Sequence, residues 1–396
     1  MSVALALLSA AAVRERCGLV LAAAERGDTR HFRLVPERLD AIAERVVRVT
    51  RRRYPDLAVP FHSRWRHFTA GDVDRAALVA PGADTAERAR ARLDLAFVSV
   101  LLDAGAGAEW SYHEAETGLA LGRSEGLAVA SLRAMRQGLF SADRARPWRV
   151  DAEALAGLTS DRLGVTLQHG PNNALAGLEG RAALLRKLGQ VIADAPELFG
   201  RPARPGNLYD YWLPSGAALA APEMLRLVLR ALGPIWPGRL NLDGVSLGDC
   251  GRHPAVPKDG LVPLHKLSQW LVYSLVEPLV EAGFTVSALD GMTGLAEYRN
   301  GGLFLDGGAL IPRDAGIAKR PLDPLSEEIV EWRALTVALL DRLAPLVRAR
   351  LGKSEAEFPL PCMLEGGTWA AGRELAAELR QDGGPPLAIV SDGTFF

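Results

Sequence analysis

The sequence has little cysteine, no basic excess and no long apolar run, and each shortage argues against a class of protein. Its three cysteines are far apart and form no CxxC pair, so neither a thiolate zinc site nor a disulfide framework is indicated. Basic residues number 46 and acidic residues 47, giving a net charge of −1, whereas nucleic-acid binding usually draws on a basic excess. No stretch reaches the roughly 18 apolar residues of a membrane span. We therefore expect a cytoplasmic protein that binds neither nucleic acid nor membrane.

Metal and cofactor motifs are also missing. His62 and His67 are five residues apart, and residues 113–116 do not form the HExxH pattern of a zinc-binding helix. The sequence contains no P-loop and no complete GxGxxG. Residues 244–248 match the GxSxG nucleophile elbow, but the Pro254 that soon follows prevents the clean helix start that this motif requires. We expect an enzyme that uses no metal and no other cofactor.

Helical periodicity dominates what is present. Apolar residues recur at helical spacing over residues 39–46, 93–101, 184–192, 225–232 and 264–275, the last stopping near Pro278. The longest pattern runs from about Ser326 to Leu351. Strand candidates are few and short, at 284–286, 303–305 and 387–390. The sequence predicts a mainly α fold with minor β, forming a single two-lobed catalytic unit with lobes at about 1–175 and 176–396.

An aromatic and cationic segment spans residues 61–68, FHSRWRHF. In a functional interpretation, Arg64 and Arg66 grip an anion and Trp65 stacks on a planar group. In the structural alternative, the aromatic side chains fill the core and the arginines reach past them to solvent. The sequence leaves both interpretations open.

The segment 289–302 is the richest in chemistry, because it brings Asp290, Glu297, Tyr298 and Arg299 together between glycines. Glycines allow a backbone to approach a ligand closely, and a carboxylate beside an arginine suits acid–base or cation-stabilising work. The alternative is an internal Glu–Arg pair at the surface. We favour the functional interpretation, because acid, phenol and base converge in one predicted loop.

Two helix starts add further candidates. His265 and Lys266 follow Pro263, and a lysine at a helix N-terminus opposes the helix dipole unless an anion is near; the alternative is a solvated lysine. Glu331 and Arg333 lie near the start of the long helix. For this second pair, capping and a buried ion pair are slightly favoured over substrate binding.

Long motifs in this sequence resemble a known family. The likeness runs from about residue 10 to the end and rests on FHSRWRHF, GLEGRAALLRKLG, GLVPLHKLSQWLVYSLVEPL, TGLAEYRNGG, VEWRALTVALLDRLAPLV, LEGGTWAAGR and SDGTFF. These strings are similar to those of the family of uracil-catabolism protein 4 of fungi and bacteria. The resemblance implies a role in a ring-opening route of uracil breakdown.

A weaker resemblance links four short segments to the queuosine-salvage family, which are N-glycosidases of queuosine 5′-phosphate on a helical DNA-glycosylase-like fold. The segments, in the same order as in that family, are 178–185, 265–269, 295–299 and 330–334. Two departures stand out. Glu297 replaces an aspartate of that family, and Asn300-Gly-Gly follows Arg299 where that family has a proline.

Together the two resemblances imply hydrolysis of the N-glycosidic bond in a (5′-phospho)ribosyl-urea intermediate, releasing urea and ribose phosphate. Glu297 is the first choice for the catalytic carboxylate and Asp290 the second. The expected substrate-binding residues are Lys266 and Arg299 at the phosphate, Tyr298 and Trp65 at the leaving group, and His265, Arg64, Arg66 and Arg333. The alternatives are an amidohydrolase acting on an acyclic ureido compound, and a non-catalytic partner that organises other uracil-catabolism enzymes.

Overall fold

Helices dominate the structure, a computed structural model that describes residues 2–107, 109–236 and 240–390. Helix accounts for 56% and strand for 9%, which confirms the predicted mainly α fold with minor β. The helices are α1 Val3–Leu7, α2 Ala10–Arg26, α3 Leu39–Arg53, α4 Thr85–Leu101, α5 Arg123–Arg136, α6 Ala152–Ala156, α7 Ser160–Thr166, α8 Leu178–Asp194, α9 Pro196–Phe199, α10 Leu208–Trp212, α11 Ala221–Leu232, α12 Lys266–Glu281, α13 Tyr298–Asp306, α14 Glu327–Leu351, α15 Leu360–Met363 and α16 Trp369–Leu379. A π-helical turn, Leu364–Thr368, joins α15 to α16.

The strands form only two-stranded pairs within the described ranges. They are β1 Phe32–Leu34, β2 Ser111–Glu114, β3 Leu119–Gly122, β4 Ala218–Ala220, β5 Asn241–Leu242, β6 Val245–Ser246, β7 Cys250–Arg252, β8 Leu261–Pro263, β9 Thr285–Ser287 and β10 Leu310–Pro312. The pair β4–β9 is parallel, and β1–β10, β2–β3, β5–β6 and β7–β8 are antiparallel. Two-stranded pairs contribute only local order, so packed helices form the hydrophobic cores of the chain.

The chain divides into two compact units. The first contains Met1–His62, Arg239–Gln269 and Ala288–Val390, and the second contains Ser63–Gly238 and Trp270–Ser287. Neither coincides with the lobes expected at 1–175 and 176–396. That the chain acts as a single catalytic unit stays a prediction.

The first unit is built around α14, which is buried on every face from Ile329 to Leu340. A helix that is apolar around its whole circumference belongs in the middle of a core, and α14 packs on α2, α3 and α13. Two polar side chains, Glu331 and Arg333, are buried with it. In the second unit, α4 and α5 contribute long buried runs and pack against each other.

The three predicted strands have different outcomes in the structure. Residues 284–286 overlap β9, but residues 303–305 lie in α13, so their assignment as a strand was wrong. Of residues 387–390, Ile389 forms an isolated bridge with Leu322. In α13, Gly301 packs so closely on α14 that a Cβ there would lie 2.6 Å from the Trp332 ring. Gly301, just before this segment, therefore serves helix packing.

Helix α12 also differs from the prediction, because it continues past Pro278 to Glu281. A proline inside a helix removes the hydrogen bond to the carbonyl four residues earlier. That carbonyl belongs to Ser274, and the indole Nε1 of Trp65 donates to it at 2.8 Å. Trp65 thus compensates for the missing donor within the second unit. Among the described residues, no helix is long and apolar enough to cross a membrane.

Candidate active site

Glu297 is the N-cap residue of α13 and is almost completely buried. Its Oε2 accepts a hydrogen bond from the backbone N–H of Arg299 and its Oε1 from that of Asn300, both at 2.6 Å. Serine, threonine, aspartate and asparagine are the usual N-caps, so a buried glutamate here is an unusual choice. Close packing holds this turn, because any Cβ at Gly372 of α16 would overlap the Arg299 carbonyl.

Burial and charge act in opposite directions on Glu297. Burial raises the pKa of its carboxyl group, while the two backbone donors and the nearby charges of Lys266 and His62 lower it. The effect of burial is the larger one, so the pKa of Glu297 is raised overall. The segment 289–302 thus contributes a carboxylate that is poorly solvated and lies within the electrostatic reach of two basic side chains.

Lys266 is the first residue of α12 and is half-buried. Its backbone N–H donates to Oδ2 of Asp249 at 3.0 Å. The same carboxylate receives both terminal nitrogens of Arg333, at 2.9 and 2.7 Å. Although burial opposes it, Arg333 holds the pKa of Asp249 below its ordinary value. The ionised carboxylate of Asp249 therefore holds the first residue of α12 in place. Arg333 stabilises the charge of that carboxylate.

A second contact ties α12 to the segment before Glu297. Gln269 Oε1 accepts from the backbone N–H of Thr293 at 2.9 Å, and its Nε2 donates to the Thr293 hydroxyl at 2.8 Å. Both side chains are buried. Lys266 and Gln269, matched in the queuosine-salvage resemblance, thus lie on the same helical turn, which Thr293 anchors near Glu297.

A buried histidine–glutamate pair lies in the same unit. His62 Nδ1 is 2.8 Å from Oε2 of Glu365, and both side chains are almost fully buried. Oε1 of Glu365 accepts from the Tyr54 hydroxyl and from Arg53 Nη2, both at 3.0 Å. Burial alone would raise the pKa of Glu365, but His62, Arg53 and Tyr54 lower it overall. Glu365 is therefore held as an anion.

The π-helical turn positions Glu365. Its two glycines lie against α3: any Cβ at Gly366 would lie 3.0 Å from Thr50, and any Cβ at Gly367 2.7 Å from the Thr50 hydroxyl. Only glycine fits such a close approach. π-Helical turns are rare and occur frequently at functional sites. The segment LEGGTW thus forms a support for a buried carboxylate.

Other predicted site residues are engaged elsewhere in the first unit. Asp290 accepts from Arg348 and from the backbone N–H of Leu360, both at 2.5 Å. His265 Nε2 is 2.9 Å from the Leu7 carbonyl oxygen. These contacts tie segments of the chain together, as does the pair of Arg333 with Asp249.

Tyr298 and Arg299 lie side by side at the start of α13. The Arg299 guanidinium is 4.8 Å from the centre of the Tyr298 ring and donates through Nη1 to the Gly383 carbonyl at 2.9 Å. Its Nε is buried without a hydrogen-bond partner among the described residues. Tyr298 itself is half-buried.

The segment 61–68 contributes to the second unit from Ser63 onward. Arg64 is fully buried, with Nη1 3.0 Å from Asp103, and Arg66 pairs with Glu277. Carboxylates thus already engage both arginines, and Trp65 is 3% exposed. The burial of Trp65 fits the structural interpretation of the segment, but Arg64 does not reach solvent as that interpretation expected.

One group of potential metal ligands occurs among the described residues: His31, Glu327 and Glu331. The carboxylate of Glu331, however, accepts from three backbone N–H groups, those of residues 30–32, and lies 3.0 Å from His253 Nε2. A carboxylate offers about four acceptor positions, and all four are in use. These hydrogen bonds indicate that Glu331 anchors the start of β1 rather than binding a metal ion.

Comparison with known proteins gives the family. Residues 6–396 match the profile of a family described as "Protein of unknown function (DUF1688)". The chain belongs to the DUF1688 family. It is 41% identical over 406 residues to "Protein urg3" of Schizosaccharomyces pombe and 38% identical over 432 residues to "Uracil catabolism protein 4" of Lachancea kluyveri. Each match covers 98% of both chains. The resemblance to the uracil-catabolism protein 4 family is therefore confirmed.

The pair His62 and Glu365 was not among the predicted site residues of this DUF1688 chain. Both residues occur in motifs noted from the sequence, FHSRWRHF and LEGGTW. The available signal was an acid followed directly by two glycines, which indicates a carboxylate on a closely packed backbone. The sequence carried no sign that the two motifs meet.

Proposed function

We propose that this chain acts in uracil catabolism, and that it hydrolyses the N-glycosidic bond of a ribosyl-urea compound to urea and a ribose derivative. Two findings support the pathway: the relative named "Uracil catabolism protein 4" and a match over 98% of both chains. The resemblance of four segments to N-glycosidases of the queuosine-salvage family supports the reaction class. Their Lys-x-x-Gln and acid-Tyr-Arg segments correspond to residues 266–269 and 297–299.

The observation that carries the proposal is the environment of Glu297. Breaking a glycosidic bond develops positive charge at the anomeric carbon, and a carboxylate held near that carbon stabilises it. The carboxylate of Glu297 is poorly solvated, so it interacts with such a charge more strongly than a hydrated one would. Its two backbone hydrogen bonds hold it in place before the reaction begins.

Cationic groups supply the binding side of the proposal. Lys266, whose charge acts on Glu297, would bind the 5′-phosphate or a ribose oxygen and thereby orient the sugar. Arg299 has a buried Nε with no partner among the described residues, and Tyr298 would lie along the sugar or the leaving group. Asp290 and Arg333 are not needed in this scheme, because each already has an ionic partner of its own.

The same panel of substrates tests the proposal and its alternatives. Purified protein is incubated with ribosyl urea, its 5′-phosphate, uridine 5′-phosphate and an acyclic ureido acid, and released urea, ribose and ammonia are measured. Urea release matched by free ribose or ribose phosphate supports the glycosidase. Turnover of the acyclic compound alone favours the amidohydrolase, and no turnover of any compound favours the organising partner.

A further inference from the structure

The pair formed by His62 and Glu365 is costly to bury, because both side chains can carry a charge. Both side chains lie out of solvent, and burying charged or polar groups costs free energy unless every hydrogen bond is satisfied. Arg53 and Tyr54 donate hydrogen bonds to Glu365, and the π-helical turn holds Glu365 in position. Buried carboxylates with a perturbed pKa, such as Glu365, are found preferentially at functional sites.

The geometry sets which nitrogen of His62 can exchange a proton. Glu365 is an anion and can only accept, so Nδ1 of His62 carries a hydrogen in either charge state. Nε2 is then the nitrogen that gains and loses a proton. In catalytic triads a buried aspartate likewise contacts Nδ1 of the histidine and holds the ring in one tautomer and orientation.

His62 also acts on Glu297. Its charge is one of the influences that lower the pKa of Glu297 against burial, together with that of Lys266. The charged and titratable groups around His62 include Glu365 on the π-helical turn, Arg53 and Tyr54 at the end of α3, and Glu297 at the start of α13. A proton donor thus lies within electrostatic reach of the proposed catalytic carboxylate.

We propose that His62 is a second catalytic residue, the general acid that protonates the leaving nitrogen, and that Glu365 is its positioning residue. The inference rests on the proposed glycosidase function. The C1′–N bond breaks with its electron pair going to the urea nitrogen, and that nitrogen takes the proton from Nε2 of His62. Water bonds to C1′ and gives its proton to Glu297. Transfer of that proton from Glu297 to His62 restores the starting state, so that one water is consumed for each bond cleaved.

The roles of the two residues can be separated by the leaving group. Urea is a poor leaving group that needs a proton, whereas 4-nitrophenolate departs without one. His62→Gln should lower turnover of ribosyl urea 5′-phosphate by a hundredfold or more, within the range of about 10²–10⁴ for general acids. It should lower turnover of 4-nitrophenyl riboside 5′-phosphate less than tenfold. Glu297→Asn should lower both, because positive charge develops at C1′ with either leaving group.

A matched control is available in His31, another histidine of the first unit, whose Nε2 lies 3.2 Å from Glu327. His31→Gln should leave turnover of both substrates unchanged. If His62→Gln loses turnover of both substrates equally, or loses turnover of neither, the assignment of His62 as the general acid is overturned. A wild-type protein that cleaves neither substrate would instead contradict the proposed function itself.

Glu365 needs a readout that a purely structural role would not move, and the ratio of turnover of the two substrates provides it. Glu365→Gln keeps the size of the side chain but removes the anion that fixes the hydrogen on Nδ1 of His62, so turnover of ribosyl urea 5′-phosphate should fall about tenfold more than turnover of 4-nitrophenyl riboside 5′-phosphate. Glu365→Asp should restore much of the wild-type ratio. A Glu365→Gln variant whose turnover of both substrates falls equally would show that Glu365 supports only the fold. These measurements also decide the question if His62→Gln fails to fold.

Discussion

Replacing Glu297 by aspartate and by asparagine separates the charge of this residue from its role as a helix cap. Both carboxylate oxygens accept backbone N–H groups at 2.6 Å. A glutamine would turn its NH2 towards one of these donors, and an unmet buried donor costs about 1–3 kcal/mol. Aspartate and asparagine, in contrast, have the same length and are both good N-caps. The pair therefore differs mainly in charge.

The asparagine variant should turn over ribosyl urea 5′-phosphate about a hundredfold more slowly than the aspartate variant. That ratio corresponds to about 2.7 kcal/mol of transition-state stabilisation, in scale for one preorganised charge in a site that excludes water. Their free energies of unfolding should agree within about 1 kcal/mol, because both cap α13. Urea release at saturating substrate and unfolding in guanidinium chloride measure the two quantities. Equal turnover in the two variants would show that Glu297 is only a cap.

The same residue predicts a dependence of stability on pH. Burial raises the pKa of Glu297 in the folded chain, so the folded state binds this proton more tightly than the unfolded state. As pH rises from the ordinary carboxyl pKa to the raised value, the folded state loses this advantage and its stability falls. Asparagine has no such proton. The stability of wild type relative to Glu297→Asn should therefore decrease across that window, and a constant difference would contradict the argument.

Four further outcomes follow from the contacts of other residues. Lys266→Ala should raise the Kd of ribosyl urea 5′-phosphate at least tenfold and barely change that of ribosyl urea; equal changes would show that Lys266 does not bind phosphate. Trp65→Phe should cost about 1–3 kcal/mol of stability, because the Ser274 carbonyl loses its donor; a loss of turnover alone would instead place Trp65 at the substrate. The pKa of Asp249 is lowered, so wild type should be more stable than Asp249→Asn above the ordinary carboxyl pKa, and the difference should vanish as pH falls through the lower folded value; a difference independent of pH would count against an ionised Asp249. Turnover should survive EDTA, and loss restored by one divalent ion would overturn the metal-free mechanism.

The fold could be predicted from the sequence where helices are long and amphipathic. The patterns at 39–46, 93–101, 184–192 and 225–232 lie in α3, α4, α8 and α11. The prediction failed at α13, which is short and contains two adjacent glycines. Its helix depends on tertiary packing, since Gly301 admits the Trp332 ring and Gly372 of α16 admits the Arg299 carbonyl. A local pattern cannot report that kind of stabilisation, because the partner residues lie far away in sequence.

The candidate site shows a second limit of sequence reasoning, which concerns polar residues. Lys266, Arg299 and Arg333 all occur in polar motifs, yet both terminal nitrogens of Arg333 are bound by a carboxylate 84 positions away. A ligand-binding arginine and a structural one therefore look alike until the partner is known. The same limit explains why His62 was not predicted as a site residue. Its partner Glu365 is 303 positions away, and only that contact turns a histidine in an aromatic segment into a candidate proton donor.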